Sequence, residues 1–169
     1  MPLEIERKYL IDGTNPSPYG ECPVPFETSY LVQTYLVAKE GVSSERVRER
    51  TPDTGLPVYT HTKKVRVSDG VHHEDERVIT KRSFDRLLKR MDPGMVSITK
   101  TRRVFEWLGW TFEVDFFNGP HQGLVIMEIE LPYVGVPFPL PPFIPVIREV
   151  TSEPWSTNAA LARAGGWKP

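Results

Sequence analysis

The stretch Leu3-Glu4-Ile5-Glu6-Arg7-Lys8-Tyr9-Leu10-Ile11 decides how the rest of the chain is read. In an extended strand, alternate side chains share one face. Glu4, Glu6 and Lys8 then point one way, and Leu3, Ile5, Arg7 and Tyr9 the other. At about 3.3 Å per residue, the charged row spans roughly 13 Å. Two carboxylates and an ammonium do not make a core face. Burying them is strongly unfavourable unless they meet a metal, counter-charges or water. The plain alternative is an exposed edge strand whose charges deter aggregation. The strands further along decide between the two.

Residues 29–39 read as a strand with Gln33 and Tyr35 on one face. Residues 44–51 align Arg46, Arg48 and Arg50, and residues 58–67 carry Lys63, Lys64 and Arg66. Residues 72–80 place His72, Glu74 and Glu76 together. Residues 96–108 and 110–117 form a hairpin across Gly109, and 124–131 is a strand with Glu128 and Glu130 on one face. Two short helices are expected. Residues 83–91 begin at Ser83 as N-cap and carry an apolar stripe of Phe84, Leu87, Leu88 and Met91; residues 157–164 end at Gly165-Gly166.

These strands alternate apolar and charged residues, and the charged sets are sorted by sign. Glu4/Glu6, Glu74/Glu76, Glu113/Asp115 and Glu128/Glu130 are acidic; Arg46/Arg48/Arg50, Lys64/Arg66 and Lys100/Arg102 are basic. Surface charge on a soluble sheet is normally mixed. A closed barrel explains the sorting, with a wet, charged interior and an apolar outer face covered by helices and loops. The expected fold is therefore α+β, mainly antiparallel β: an eight-stranded barrel tunnel with a few flanking helices. An acidic and a basic sector facing one lumen suit a divalent cation and a polyanion together. Carboxylates favour Mg²⁺ or Mn²⁺, and Arg and Lys favour phosphates.

Bulk properties narrow the field. The 169 residues are enough for one domain, expected over 1–169, and the net charge of −1 gives no basic bias toward nucleic acid. One cysteine, Cys22, excludes an internal disulfide framework, and a loop or core thiol is its plain reading. Proline-rich stretches at 15–25 and 132–145 read as connections within one domain. No signal peptide pattern precedes Leu3 and no apolar run is long enough to span a membrane, so a soluble, cytoplasmic protein is expected. There is no GxxxxGK[ST] loop and no Ser/His/Asp arrangement. The four histidines show no zinc-like spacing and are read as surface or rim residues.

The ordered set of motifs resembles a known family. Glu4-Ile5-Glu6-Arg7-Lys8 is similar to the ExExK signature of CYTH proteins, also called triphosphate tunnel metalloenzymes. Gln33-Thr34-Tyr35-Leu36 resembles the family's QGYL strand, Val47-Arg48-Glu49-Arg50 its VRVR strand, and Thr62-Lys63-Lys64 its T-x-K strand. Glu74-Asp75-Glu76 resembles the central E-x-E and Lys100-Thr101-Arg102 the K-x-R strand. Glu113 with Asp115, and Glu128 with Glu130, resemble the paired acidic strands; Glu149-Val150-Thr151 with Asn158 resembles the start of the C-terminal helix. Two departures stand out. Trp155-Ser156 occupies the place of an Arg-Tyr pair, so a basic residue is missing or supplied by Arg163 or Lys168. Thr34 replaces a glycine and is expected to face outward.

The resemblance implies an eight-stranded tunnel acting on triphosphates with Mg²⁺ or Mn²⁺. It assigns metal binding to Glu4, Glu6, Asp115, Glu128 and Glu130. Glu74, Glu76 and Glu113 come next, divided between metal contact and ion pairing. Phosphates fall to Lys8, Arg48, Arg50, Arg102 and either Lys63 or Lys64, which strand periodicity alone does not separate. Arg46 and Arg66 are expected at the mouth or exposed. Lys100 is assigned to phosphate and to catalysis, Tyr35 to the lumen beside it, and Glu128 and Glu130 to catalysis as well as to metal. Three functions follow: a hydrolase of small triphosphates, most simply inorganic triphosphate; an adenylate cyclase or thiamine triphosphatase; and a non-catalytic polyphosphate-binding module. The expected partner is the triphosphate itself, with no nucleic acid or membrane, and the protein a monomer or homodimer.

Overall fold

The computed structural model describes residues 1–14 and 22–168. The loop expected at 12–25 therefore falls partly, at residues 15–21, outside the described residues. The chain forms β1 (Leu3–Ile11), β2 (Phe26–Tyr35), β3 (Ser44–Pro52), β4 (Val58–Ser68), β5 (Val71–Ile79), α1 (Lys81–Leu88), β6 (Ile98–Trp107), β7 (Trp110–Phe117), β8 (Val125–Glu130), β9 (Val146–Glu149) and α2 (Asn158–Ala164). The strands are antiparallel neighbours in the order β5-β4-β3-β2-β6-β7-β8-β1-β9, and a further β5–β1 pairing closes the first eight into a barrel.

Closure happens on β1. One edge pairs β8 over Glu6–Leu10. The other is shared: β5 takes Leu3–Ile5 and β9 takes Tyr9–Ile11. Between them the β4–β5 turn reaches β1, where the Glu6 amide donates to the Gly70 carbonyl at 2.8 Å. Gly70 has a φ of +72°, and a Cβ there would meet the Glu6 carbonyl oxygen at 2.4 Å. Only glycine fits that seam. β9 was not foreseen, because four residues in a proline-rich surrounding carry almost no strand periodicity.

Three apolar clusters show what the strand faces do. Outward-facing Ile5, Tyr9, Phe112, Met127 and Ile129 are covered by Val136, Phe138, Phe143 and Ile144 of the proline-rich segment. Val47, with Tyr59 and Ile79, is covered by Phe84, Leu87 and Leu88 of α1. The third cluster lies on the inward face. Leu10, Tyr35, Ile98, Phe117 and Ile126 continue the charged rows of their strands and pack against Leu161 and Ala162 of α2. The interior is thus charged along part of its length, and α2 plugs the other end with apolar side chains. α1 starts at Lys81 with Thr80 as N-cap, its hydroxyl accepting from the Ser83 amide; the cap expected at Ser83 is three residues late. Among the described residues no helix is long and apolar enough to cross a membrane.

Candidate active site

Strand parity carries the charged rows into one cavity of about 220 Å³. Its acidic side comes from Glu4 and Glu6 on β1, Glu113 on β7, and Glu128 and Glu130 on β8, with Glu74 and Glu76 on β5. Lys8, Arg46, Arg48, Lys64 and Arg102 supply the positive charge, and Asn158 reaches in from α2. Two carboxylate pairs sit directly opposite each other across neighbouring strands: Glu6 with Glu130, and Glu113 with Glu128. Like charges in such register oppose sheet formation. Burial, reinforced by the charges of Glu4 and Glu6, raises the Glu130 carboxyl above its ordinary range. Burial raises Glu113 too; Arg102 works against the shift, while Glu128 and Asp115 add to it.

The cations divide into paired and crowded. Lys8 Nζ lies 3.5 Å from Glu6 and 3.6 Å from Glu128. Burial disfavours its charge, but Glu6 and Glu128 outweigh burial and raise its pKa. The same burial opposes ionisation of Glu6, and Lys8 and Lys64 together hold its carboxyl below the ordinary value. Lys64 spans Glu4 at 2.6 Å and Glu74 at 3.2 Å. Arg48 differs. Burial, then the neighbouring Arg46 and Arg102, push it down to about 9. It is still a cation at neutral pH; Glu76 and Asp115 favour its charge but do not offset the burial and the neighbouring arginines, and an amide lies beside it. The Gln33 oxygen faces Arg46 Nη1 at 3.4 Å or, with the amide turned over, Arg48 Nη2 at 3.2 Å. An arginine crowded by arginines is a place where an anion would be welcome.

Beneath the cavity lies a buried cluster around Asp115. Arg102 donates to both of its oxygens, at 2.7 and 2.8 Å, and Lys100 Nζ lies 2.7 Å from Oδ2. Burial alone would raise the Asp115 carboxyl; Arg102 and Lys100 hold it far below its ordinary range. Lys100 is wholly buried, bonded also to Asn158 at 3.2 Å. Burial pushes it down to about 8, with Asp115 resisting the shift and Arg102 adding to it.

The structure brings most of the expected residues together and relocates several. Glu4, Glu6, Lys8, Arg48, Lys64, Arg102, Glu128 and Glu130 line the cavity. Asp115 does not; cations take both its oxygens, which sets it apart from the open carboxylates. Lys63 lies on the outer face with His61, Asp75 and Arg77, because the register Lys64↔Glu74 puts its neighbour inside. Arg50 continues the Arg46–Arg48 row but is exposed beyond the cavity. Arg46, expected at the mouth or exposed, is buried in it; alternation with Arg48 gave its face but not its depth along the barrel. Tyr35 is buried, its phenol beside Arg46 and near Lys8. Arg163 is exposed near Asp92, and Lys168 lines an outer groove with Trp155 and Trp167, so neither enters the cavity. Thr34 faces outward to Ser97, at 2.9 Å. His72 was read as a rim residue, yet one of its ring nitrogens lies within 4.8 Å of carboxylate oxygens of Glu4 and Glu6. Burial and Lys64 lower its pKa, against the pull of Glu6 and Glu4.

No family model matches the chain. An inorganic triphosphatase of Acetivibrio thermocellus is 46% identical over 66 residues, 39% of this chain and 41% of that protein, so the match spans about two fifths of the relative's length. The crystal structure of the inorganic triphosphatase NE1496 covers 96% of both chains at 28% identity, with a TM-score of 0.59. HpAC1 from Hippeastrum, studied as an adenylyl cyclase and described with a dominant triphosphatase activity, covers 98% of both chains at 17% identity and a TM-score of 0.62, a likeness of fold alone. The ordered motifs and the closed barrel with its sorted charges are similar to those of the triphosphate tunnel family, and the likeness to the inorganic triphosphatase NE1496 extends over nearly the whole chain.

Proposed function

We propose that the protein hydrolyses short triphosphates, most simply inorganic triphosphate to pyrophosphate and phosphate, with a divalent cation. The observation that carries this reading is the cavity itself, where seven carboxylates and five cations share about 220 Å³. Drug-sized ligand pockets run to roughly 300–1,000 Å³, so the space suits a compact anion. None of the described residues lining it is aromatic. A nucleobase would find no stacking surface there. The inorganic triphosphatases among the relatives support the same choice over a cyclase.

The excess of carboxylates fits a metal. Glu6 opposite Glu130, with Glu4 alongside, is a set of oxygen donors whose mutual repulsion a dication would relieve. Glu4, Glu6 and Glu130 would hold Mg²⁺ or Mn²⁺, which would neutralise phosphate charge and acidify a bound water. The chain's own cations do the rest. Arg46, Arg48, Lys64 and Arg102 grip phosphate oxygens and align the terminal phosphorus for in-line attack by water. The bond from that phosphorus to the bridging oxygen breaks, leaving pyrophosphate. Lys100 holds a proton that is labile near neutral pH and can give it to the leaving oxygen once Nζ exchanges Asn158 for it. Asp115 keeps Lys100 and Arg102 in place.

The deciding experiment compares kcat/KM for inorganic triphosphate, ATP and thiamine triphosphate at fixed Mg²⁺ or Mn²⁺ and ionic strength, with products identified. Inorganic triphosphate should lead, and chelator should abolish turnover. Equal or faster turnover of ATP would refute the preference, and cyclic AMP among the products would make the protein a cyclase.

A further inference from the structure

His72 and Glu4 stand directly opposite each other across β5 and β1, so their side chains share the inward face. They lie at the end of the barrel away from α2. Potential ligand atoms of Glu4, Glu6 and His72 all fall within 4.8 Å of one another. An independent sign points to a missing ligand. Nδ1 of His72 is buried and makes no hydrogen bond among the described residues. His61 bonds Glu45 at 2.8 Å and His73 the Met1 carbonyl at 3.3 Å; His121 bonds the Leu161 carbonyl through Nε2 at 2.7 Å, and although its buried Nδ1 is also without a hydrogen bond, among the described residues it belongs to no such group with carboxylates. Lys64 competes for Glu4, but it also has Glu74 within reach at 3.2 Å and can keep that partner.

We propose that His72 completes, with Glu4 and Glu6, a mixed nitrogen–oxygen site selective for a first-row transition dication such as Mn²⁺ over Mg²⁺. Imidazole nitrogen suits Mn²⁺ and its heavier neighbours, whereas Mg²⁺ demands oxygen donors and sheds its water reluctantly. The inference rests on the metal-dependent reading of the cavity and adds to it a ligand and a metal preference. Two strands, β1 and β5, would then be tied by one ion at the seam where the barrel closes.

The test needs no turnover. Mn²⁺ is titrated into the full chain without triphosphate and the bound ion is examined by pulsed electron paramagnetic resonance. Nitrogen modulation on Mn²⁺ is expected, converting to the ¹⁵N pattern when histidine alone is ¹⁵N-labelled. His72→Asn should lose the modulation and bind Mn²⁺ at least about tenfold more weakly, the effect that even outer partners of ligands command. Its Mg²⁺ affinity should stay within about twofold. His73→Asn, altered on the outer face, should behave as wild type. Wild-type protein without nitrogen modulation overturns the proposal even if His72→Asn does not fold. So does modulation that survives in His72→Asn, or an equal loss of Mg²⁺ and Mn²⁺ affinity. Failure to hydrolyse triphosphate, with nitrogen modulation present, would refute the enzymatic reading and leave the histidine ligand standing.

Discussion

Asp115→Asn keeps shape and removes one charge from a buried cluster of three. The carboxylate now serves Arg102 at 2.7 and 2.8 Å and Lys100 at 2.7 Å, with no solvent to replace it. Removing one partner of a buried pair costs about 3–5 kcal/mol, because the other charge stays behind. Two features place this case at the lower end. Arg102 keeps Glu113 at 2.8 Å. Lys100, already down to about 8, can shed its proton at pH 7 for about 1.4 kcal/mol, the equivalent of one pKa unit. The expected loss is therefore about 3 kcal/mol, read from urea unfolding followed by circular dichroism at pH 7. The sign with pH follows from the depressed Asp115 carboxyl. Its stabilisation is present at neutral pH and is lost only as acid carries the pH below the ordinary aspartate value toward the lower folded one. In the variant, Lys100 loses a counter-charge, so its pKa should fall by a further 1–3 units or so. A limb of the kcat profile that depends on its proton should move to lower pH with it. A stability loss under about 1 kcal/mol, together with a tenfold loss of metal affinity, would show that Asp115 is a metal ligand and that the reasoning is wrong.

Lys64→Gln removes a cavity cation, and a charge-assisted contact of about 1.5–3 kcal/mol predicts a ten- to hundredfold fall in kcat/KM; Lys63→Gln, on the outer face, should stay within about twofold. If both variants behave alike, the register of β4 against β5 is not the one that matters for substrate. Gly70→Ala forces a left-handed φ and a 2.4 Å approach to the Glu6 carbonyl. It should cost more than about 2 kcal/mol in urea unfolding, and a neutral effect would contradict the tight seam. For wild-type enzyme, kcat should decline as pH rises through about 8, where Lys100 loses its proton, and Lys100→Met should have a low kcat without that limb. A wild-type profile flat to pH 10 would remove Lys100 from the proton transfer.

The alternation of charge and apolarity along β1, β3 and β8 was enough to specify inward and outward faces, because a strand offers only two. Sorting by sign then required that the acidic and basic rows meet, and the barrel brings them together. Periodicity could not choose between Lys63 and Lys64, since that choice depends on pairing register, which is a relation between strands. It could not place Arg50 outside and Arg46 inside either, because position along the barrel axis is set by where β3 meets β2 and β4. The same limit hid the plug. Leu10, Tyr35, Ile98 and Phe117 share the parity of the charged rows, and only the docking of α2 makes that end of the interior apolar. Asp115 and Glu128 look alike in sequence, two acids on neighbouring strands. Contacts separate them: one is held on both oxygens by Arg102 and Lys100 beneath the floor, while the other opens onto the cavity. His72 shows the point most simply. Glu4 and Glu6 are far from it in the chain, and β5 must first pair with β1 before Glu4 stands opposite it and Glu6 comes within reach. Local pattern determined which residues face one another's space; long-range pairing decided which of them touch.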